Sequence, residues 1–224
     1  MRIKEMNVQS RPREKALRFG ISALSDTELV ALILQSGTRN RSVFDIAQDV
    51  LNKTEGLYRM MDMSIIDLMK IPGIHKVKAL QLQASMELSR RILQAKAYQT
   101  RIQRPEDLAE WFMMTFGPRK QENFIAVYLD TKGKILSHRI LYIGTLNESC
   151  VHPRDIFKEA YLENAQSVIL VHNHPSGDVM PSQQDIVCTN QIRNVAKMMG
   201  IQLLDHIIVS RNSYYSLKQG QYLD

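Results

Sequence analysis

The stretch His172-Asn173-His174-Pro175-Ser176-Gly177-Asp178-Val179-Met180-Pro181-Ser182-Gln183-Gln184-Asp185 follows directly on the apolar run Ser167-Val168-Ile169-Leu170-Val171. The run is short, rich in β-branched residues and closed by a turn signal, which predicts a buried strand. Side chains two apart on a strand share a face, so His172 and His174 point at one place from its end while Asn173 turns away. Pro175, Ser176 and Gly177 stop the strand, and Pro181-Ser182 opens a stretch over 183–199 that predicts a helix.

Asp185 stands three residues past Ser182, in the first helical turn, where exposed amides and the helix dipole favour a carboxylate. Two imidazole nitrogens and one carboxylate oxygen make three protein ligands for one zinc ion. That number leaves the fourth tetrahedral position for water, which separates a catalytic site from a closed structural one. Zinc in such a site brings the pKa of water towards ~7 and polarises a substrate carbonyl. The same residues admit a plainer reading, in which Ser182 and Asp185 only cap the helix and the histidines are only loop residues. The two uses are compatible, and a pair of histidines beside the cap favours the metal.

The pattern His-x-His, seven residues, Ser, two residues, Asp resembles the JAMM motif of JAB/MPN-type zinc metallopeptidases. The chain as a whole resembles the bacterial RadC family in its blocks Arg11-Pro12-Arg13-Glu14-Lys15, Leu24-Ser25-Asp26-Thr27-Glu28-Leu29, Ser36-Gly37-Thr38, Gly144-Thr145-Leu146-Asn147, Val151-His152-Pro153-Arg154 and Leu204-Asp205-His206. The resemblance implies an α/β (α+β) catalytic domain of the JAB/MPN, cytidine-deaminase-like type, with His172, His174 and Asp185 as metal ligands. It also places Glu122, in Gln121-Glu122-Asn123-Phe124, where that family carries a glutamate on an earlier strand. A carboxylate that touches the attacking water without binding the metal acts as general base and then acid. Without the resemblance, Glu122 reads as a solvated strand edge. In the same family Ser182 helps to stabilise the oxyanion, beside its simpler capping use. Asp155 stands where such chains often carry Glu, and is read as a supporting residue.

Further strands are predicted over 124–130 and 135–143 around a Lys132-Gly133 turn, and a helix over 156–164. Residues 201–204 and 207–209 read as strand material on either side of Asp205-His206. His206 is open between a role beside the site and a packed, hydrogen-bonded core histidine. Phosphodiester cleavage fits less well, since such sites commonly use two ions and ligands for one are present. A zinc deaminase would need His-x-Glu with Pro-Cys-x-x-Cys, which is missing.

The first half of the chain has a different character. Basic residues outnumber acidic ones by 16 to 10 in residues 1–100 and match them at 13 each in residues 101–224, so the whole net charge of +6 lies in the first half. Such an excess suits an anionic partner, and equally an ordinary soluble surface. The segment Leu68-Met69-Lys70-Ile71-Pro72-Gly73-Ile74-His75-Lys76-Val77-Lys78 predicts a short helix, a Pro-Gly turn and a long helix to about residue 97, and resembles a helix-hairpin-helix. Such hairpins hold DNA phosphates through turn amides and lysines, here Gly73, Ile74, Lys76 and Lys78. His75 replaces the usual second glycine, which restricts how closely backbone and phosphate approach. A packing scaffold or protein-binding hairpin is the alternative. Residues 25–34 and 42–51 predict two more amphipathic helices, giving a small all-α domain.

A polar segment at 98–105 ending in Pro105 sets the expected boundary, with domains 1–100 and 101–224. Pro105 then opens a helix through residue 116 whose Trp111 reads as core. At 44% hydrophobic residues the chain is globular. The start lacks a signal-peptide core and no apolar run nears the ~18 residues of a membrane span, so a cytoplasmic protein is expected. Cys150 and Cys188 are too few for a disulfide framework and read as buried thiols. The expected activity is zinc-dependent hydrolysis of a peptide or isopeptide bond in a protein or peptide substrate. The alternative is a DNA-associated protein binding through the hairpin, with a structural or vestigial metal site.

Overall fold

The computed structural model describes residues 6–144 and 151–223, so Thr145, Leu146, Asn147 and Cys150 lie outside the described residues. The chain divides into two compact units, Met1–Ser89 and Arg90–Asp224. Against the expected boundary at 100/101, the division falls inside a helix. The reason is packing: Leu93, Ala97 and Tyr98, from the last turns of that helix, belong to the core of the second unit.

The first unit is helical: α1 (Pro12–Phe19), α2 (Asp26–Leu34), α3 (Val43–Lys53), α4 (Ile65–Met69) and the start of α5 (Lys76–Gln99). Capping fixes where the helices begin. Ser25 with Glu28 and Ser42 with Asp45 form capping boxes, and Ser64 caps α4, each supplying acceptors to amides that a helix start leaves unpaired. The faces of α2 to α5 meet in a core that includes Leu34, Ile46, Val50, Leu68, Ile74 and Leu82. The eight-residue α1 was not expected. Its composition is polar and Leu17 is 89% exposed, so no apolar stripe announces it.

The second unit is a five-stranded sheet of order β2-β1-β3-β4-β5, with β1 Glu122–Leu129, β2 Ile135–Gly144, β3 Ser167–Asn173, β4 Gln202–Val209 and β5 Tyr214–Ser216. β1 runs antiparallel to β2 and β3, β3 and β4 are parallel, and β5 returns antiparallel to β4. The parallel pair needs a crossover, and α8 (Gln183–Met199) supplies it. One face of the sheet, with Ile125, Val127, Ile169, Val171 and Ile207, packs on Trp111, Phe112 and Phe116 of α6 (Glu106–Phe116). The other face, with Phe124, Ala126, Val168 and Leu170, packs on α7 (Pro153–Leu162) and α8. Since alternate side chains take opposite faces, His172 shares the α7/α8 face with Val168 and Leu170.

Two sequence expectations differ in detail. In place of two pieces over 201–204 and 207–209, residues 202–209 form one continuous strand, with a register shift opposite Val168 and Ile169. Asp205 and His206 are tolerated inside it because both are bonded: Asp205 accepts from Ser216 Oγ at 2.6 Å and from the Lys218 amide at 3.1 Å. The three-residue β5 was not anticipated, being too short to show alternation. Among the described residues no helix is long and apolar enough to cross a membrane.

Candidate metal centre

The end of β3 and the start of α8 meet as the sequence requires. Nε2 of His172 lies 2.9 Å from Nε2 of His174 and 3.2 Å from Oδ1 of Asp185, and Nε2 of His174 lies 3.6 Å from Oδ2 of Asp185. Zinc bonds of 2.0–2.2 Å at the tetrahedral angle separate ligand atoms by about 3.3 Å, so these residues fit the ion with only small adjustments. Side chains of the three are 0%, 14% and 3% exposed in the order His172, His174, Asp185, which leaves the His174 side as the way in for solvent.

Each ligand is itself held. Oδ2 of Asp185 accepts from the Ser182 amide at 2.7 Å and from its hydroxyl at 2.6 Å, while Ser182 Oγ accepts from the Asp185 amide at 3.2 Å. The capping box and the candidate ligand are therefore one device, and Ser182 gives its single hydroxyl proton to Asp185. Ser182 reaches an oxyanion only by giving up that bond. His174 Nδ1 donates to the Asp178 carbonyl at 2.7 Å, which leaves Nε2 bare towards the site. Gly177, at φ +91°, and the bond from its amide to the His174 carbonyl turn the loop so that this carbonyl faces back. His172 Nδ1 is 2.8 Å from His206 Nε2, and Phe124 stacks on the His172 ring at 5.9 Å and 11°. His206 is thus both packed and attached to a candidate ligand.

The electrostatics follow from burial and these bonds. Burial, reinforced by His206 and His174, holds His172 well below the usual imidazole range, so its lone pair is available at neutral pH. Burial also pulls on His174, but the nearby Asp185 carboxylate, the bond to the Asp178 carbonyl and the charge of Glu122 outweigh it and raise it. For Asp185, burial would raise the carboxyl; the nearby His174 and His172 and the bonds from Ser182 bring it well below the carboxylate range.

Glu122 opens β1. Phe124 pairs with His172 across the antiparallel ladder. Glu122, two residues before Phe124, lies on the same face of β1, and its charge acts on the His174 imidazole. Asn123 and Asn173 point away and bond to each other. Residues not singled out from the sequence but in contact with the ligands are Thr189, one turn after Asp185 on α8, Phe124, and Asp178 through its carbonyl. The i to i+4 spacing of Asp185 and Thr189 was the one available signal. Asp155 lies in the first turn of α7 beside Arg154. Cys188 is buried in α8.

The DNA-contact candidates belong to the first unit. Gly73 has φ +93°, and a Cβ there would stand 2.6 Å from Ile46 Cδ1. Ile74 is buried and its amide bonds the Ile71 carbonyl, while Lys78 Nζ donates to the Ser36 carbonyl at 2.5 Å. Arg41 reaches the Pro72 carbonyl at 3.1 Å, and Lys76 is exposed.

Residues 102–222 match the family described as RadC-like JAB domain, and residues 3–80 match that described as UPF0758 N-terminal. Relatives along the whole chain include a UPF0758 protein of Geobacillus thermodenitrificans (strain NG80-2), 44% identical over 99% of this chain and 98% of the relative. Others are a UPF0758 protein of Halalkalibacterium halodurans, 41% identical over 100% and 97%, and one of Staphylococcus aureus (strain Newman), 40% identical over 100% and 99%. With the candidate metal-binding group at the end of β3 and a full-length match of this kind, the chain belongs to the UPF0758 family of proteins with a RadC-like JAB domain.

Proposed function

We propose that this protein is a zinc-dependent metallopeptidase that hydrolyses a peptide or isopeptide bond. The observation that carries the reading is the convergence of His172, His174 and Asp185, three candidate ligands among the described residues, beside a partly open edge with the charge of Glu122 acting on His174. When bound, the ion supplies a Lewis acid that acidifies water and polarises the carbonyl under attack.

The chain's own residues do the rest. His172 and His174 offer bare Nε2 atoms, because their Nδ1 atoms are occupied by His206 and the Asp178 carbonyl. Asp185 is kept ionised by the Ser182 bonds. Glu122, whose charge acts on His174, is the group assigned to take a proton from attacking water and return it to the departing amine, a role worth typically ~10²–10⁴-fold in rate. The buried walls of Phe124 and His206 exclude water from the inner side, so substrate approaches from the side of His174. The zinc-loaded protein should generate new peptide N-termini from a proteome-derived peptide library, read by mass spectrometry, and Glu122→Gln should abolish them. Equal cleavage by wild type and Glu122→Gln, or none by either in zinc-loaded protein, overturns the reading.

A further inference from the structure

We propose that His206 and Thr189 are positioning residues that fix His172 in the one tautomer able to ligate a metal and join two ligands of the site into a single unit. The proposal rests on the metal-centre reading above and goes beyond it in assigning work to two residues outside the ligand set. Four groups lie in a row: His172 Nδ1 is 2.8 Å from His206 Nε2, His206 Nδ1 is 2.6 Å from Thr189 Oγ1, and Thr189 Oγ1 is 2.5 Å from the Asp185 carbonyl oxygen. His172 and His206 are 0% exposed and Thr189 1%, so no water competes for these bonds.

The direction of every bond follows from the last one. A carbonyl oxygen only accepts, so the Thr189 hydroxyl proton points at Asp185. Thr189 Oγ1 then has only lone pairs to offer His206, whose Nδ1 must carry hydrogen. A neutral imidazole has one N–H; His206 is fully buried, and its ring bonds go to His172 and Thr189 rather than to a carboxylate that would repay a buried charge, so it stays neutral and its Nε2 is an acceptor. His172 Nδ1 therefore donates. Its Nε2 is left bare, and that is the atom beside His174 and Asp185. Reversing any link would set two lone pairs or two protons against each other inside the row, away from the metal position where the bare Nε2 atoms of His172 and His174 face one another.

The row also closes a loop. It begins at one ligand's ring and ends on the backbone of another, so the spacing between β3 and the first turn of α8 is carried by side chains as well as by the sheet and helix. Phe124, 5.9 Å from His172 and 5.4 Å from His206 by ring centroids, holds both rings from the β1 side.

The test uses full-length protein with three variants: His206→Phe, which removes the acceptor; His206→Gln, whose amide oxygen can replace Nε2; and Thr189→Val, which keeps shape but breaks the last two links. Zinc affinity is measured by competition with a chromogenic chelator, and the His172 tautomer by long-range 1H–15N NMR on metal-free protein. We expect wild-type His172 as the Nδ1–H form, zinc binding weakened about 10–100-fold in His206→Phe and less in Thr189→Val, and recovery of most of the loss in His206→Gln. Should His206→Phe not fold, Thr189→Val and His206→Gln carry the same comparison. The inference is overturned if wild-type His172 carries its proton on Nε2, or if His206→Phe and Thr189→Val, where folded, keep both the tautomer and the wild-type affinity. A wild type that takes up no zinc yet holds the Nδ1–H tautomer, lost in Thr189→Val, contradicts the metal reading and leaves the positioning row standing.

Discussion

Asn173 and Asn123 meet across β3 and β1, the Asn123 amide donating to Asn173 Oδ1 at 2.8 Å and the Asn123 side chain to the same oxygen at 3.1 Å. Each residue is the neighbour of a site residue, Glu122 on one side and His172 and His174 on the other, so this pair holds the register of β1 on β3 beside the site. Asn173 also donates to the Gln121 carbonyl at 3.1 Å, and Arg119 to Asn123 Oδ1 at 2.8 Å. A slip of one residue would send every side chain of the strand to the wrong face.

Replacing Asn173 with Leu strips this cluster of its shared acceptor and leaves buried amides unpaired. The expected loss is about 1–3 kcal/mol for such groups, read from the denaturant midpoint at constant slope. A loss below a few tenths of a kcal/mol would mean that the ladder alone holds the register.

Acid should destabilise the metal-free protein before its carboxylates titrate. His206 is lowered to about 4 by burial, and His172 and His138 are lowered in the same direction, also chiefly by burial. The unfolded chain then binds more protons than the folded one below about pH 6.5, so stability falls as pH drops from there towards about 4. Each such histidine contributes up to about 1.4 kcal/mol per pH unit. His174, whose pKa is raised, adds stability that is lost only as pH rises above its unfolded value, and the lowered Asp185 loses its contribution only at still lower pH. Asp205, raised by burial, opposes the trend at the acid end. Unfolding curves at stepped pH should slope accordingly, less steeply in His206→Gln; a flat profile across this window contradicts the assignment.

Gly177→Ala isolates the loop between the two halves of the site. No atom lies within 4 Å of a Cβ there, so the only cost is the φ of +91°, roughly 1–2 kcal/mol. The strain falls on the turn that presents the Asp178 carbonyl to His174, so thermal unfolding should shift down and zinc affinity fall together. An unchanged affinity would show that His174 does not need this carbonyl.

In the hairpin, the turn residues are engaged in packing. Gly73→Ala adds a Cβ against Ile46 at φ +93° and should cost at least about 1 kcal/mol. Lys78→Ala loses the bond to Ser36, whereas exposed Lys76→Ala should leave stability unchanged. Duplex binding that falls steeply with salt and weakens in Lys76→Ala would favour a nucleic-acid role for this unit; indifference to Lys76 favours a scaffold.

How much of this was legible depends on how local the signal is. β3 and α8 could be read closely because a short apolar run and a capping box are complete within a few residues. The ligand triad follows from the same stretch. Glu122 could not be read that way, since it lies some fifty residues upstream and only the ladder with β3 brings it near; resemblance supplied it. β4 read as two pieces because Asp205-His206 breaks the apolar run, and their partners Ser216, Lys218, Thr189 and His172 come from elsewhere. Asp178 acts through its carbonyl, so no side-chain pattern marks it. Ser182 illustrates the limit differently: one hydroxyl proton serves either cap or oxyanion, and only the 2.6 Å contact to Asp185 says where it rests.

The most direct measurement is the zinc content of full-length protein purified without a metal-affinity tag, for wild type, His174→Ala and Asp185→Ala, each checked for folding by circular dichroism. One zinc per chain is expected in the wild type and a clear loss in both variants, because a three-ligand site has no spare donor. Folded wild type that holds no zinc, even after reconstitution, or variants that keep it, would contradict the central claim.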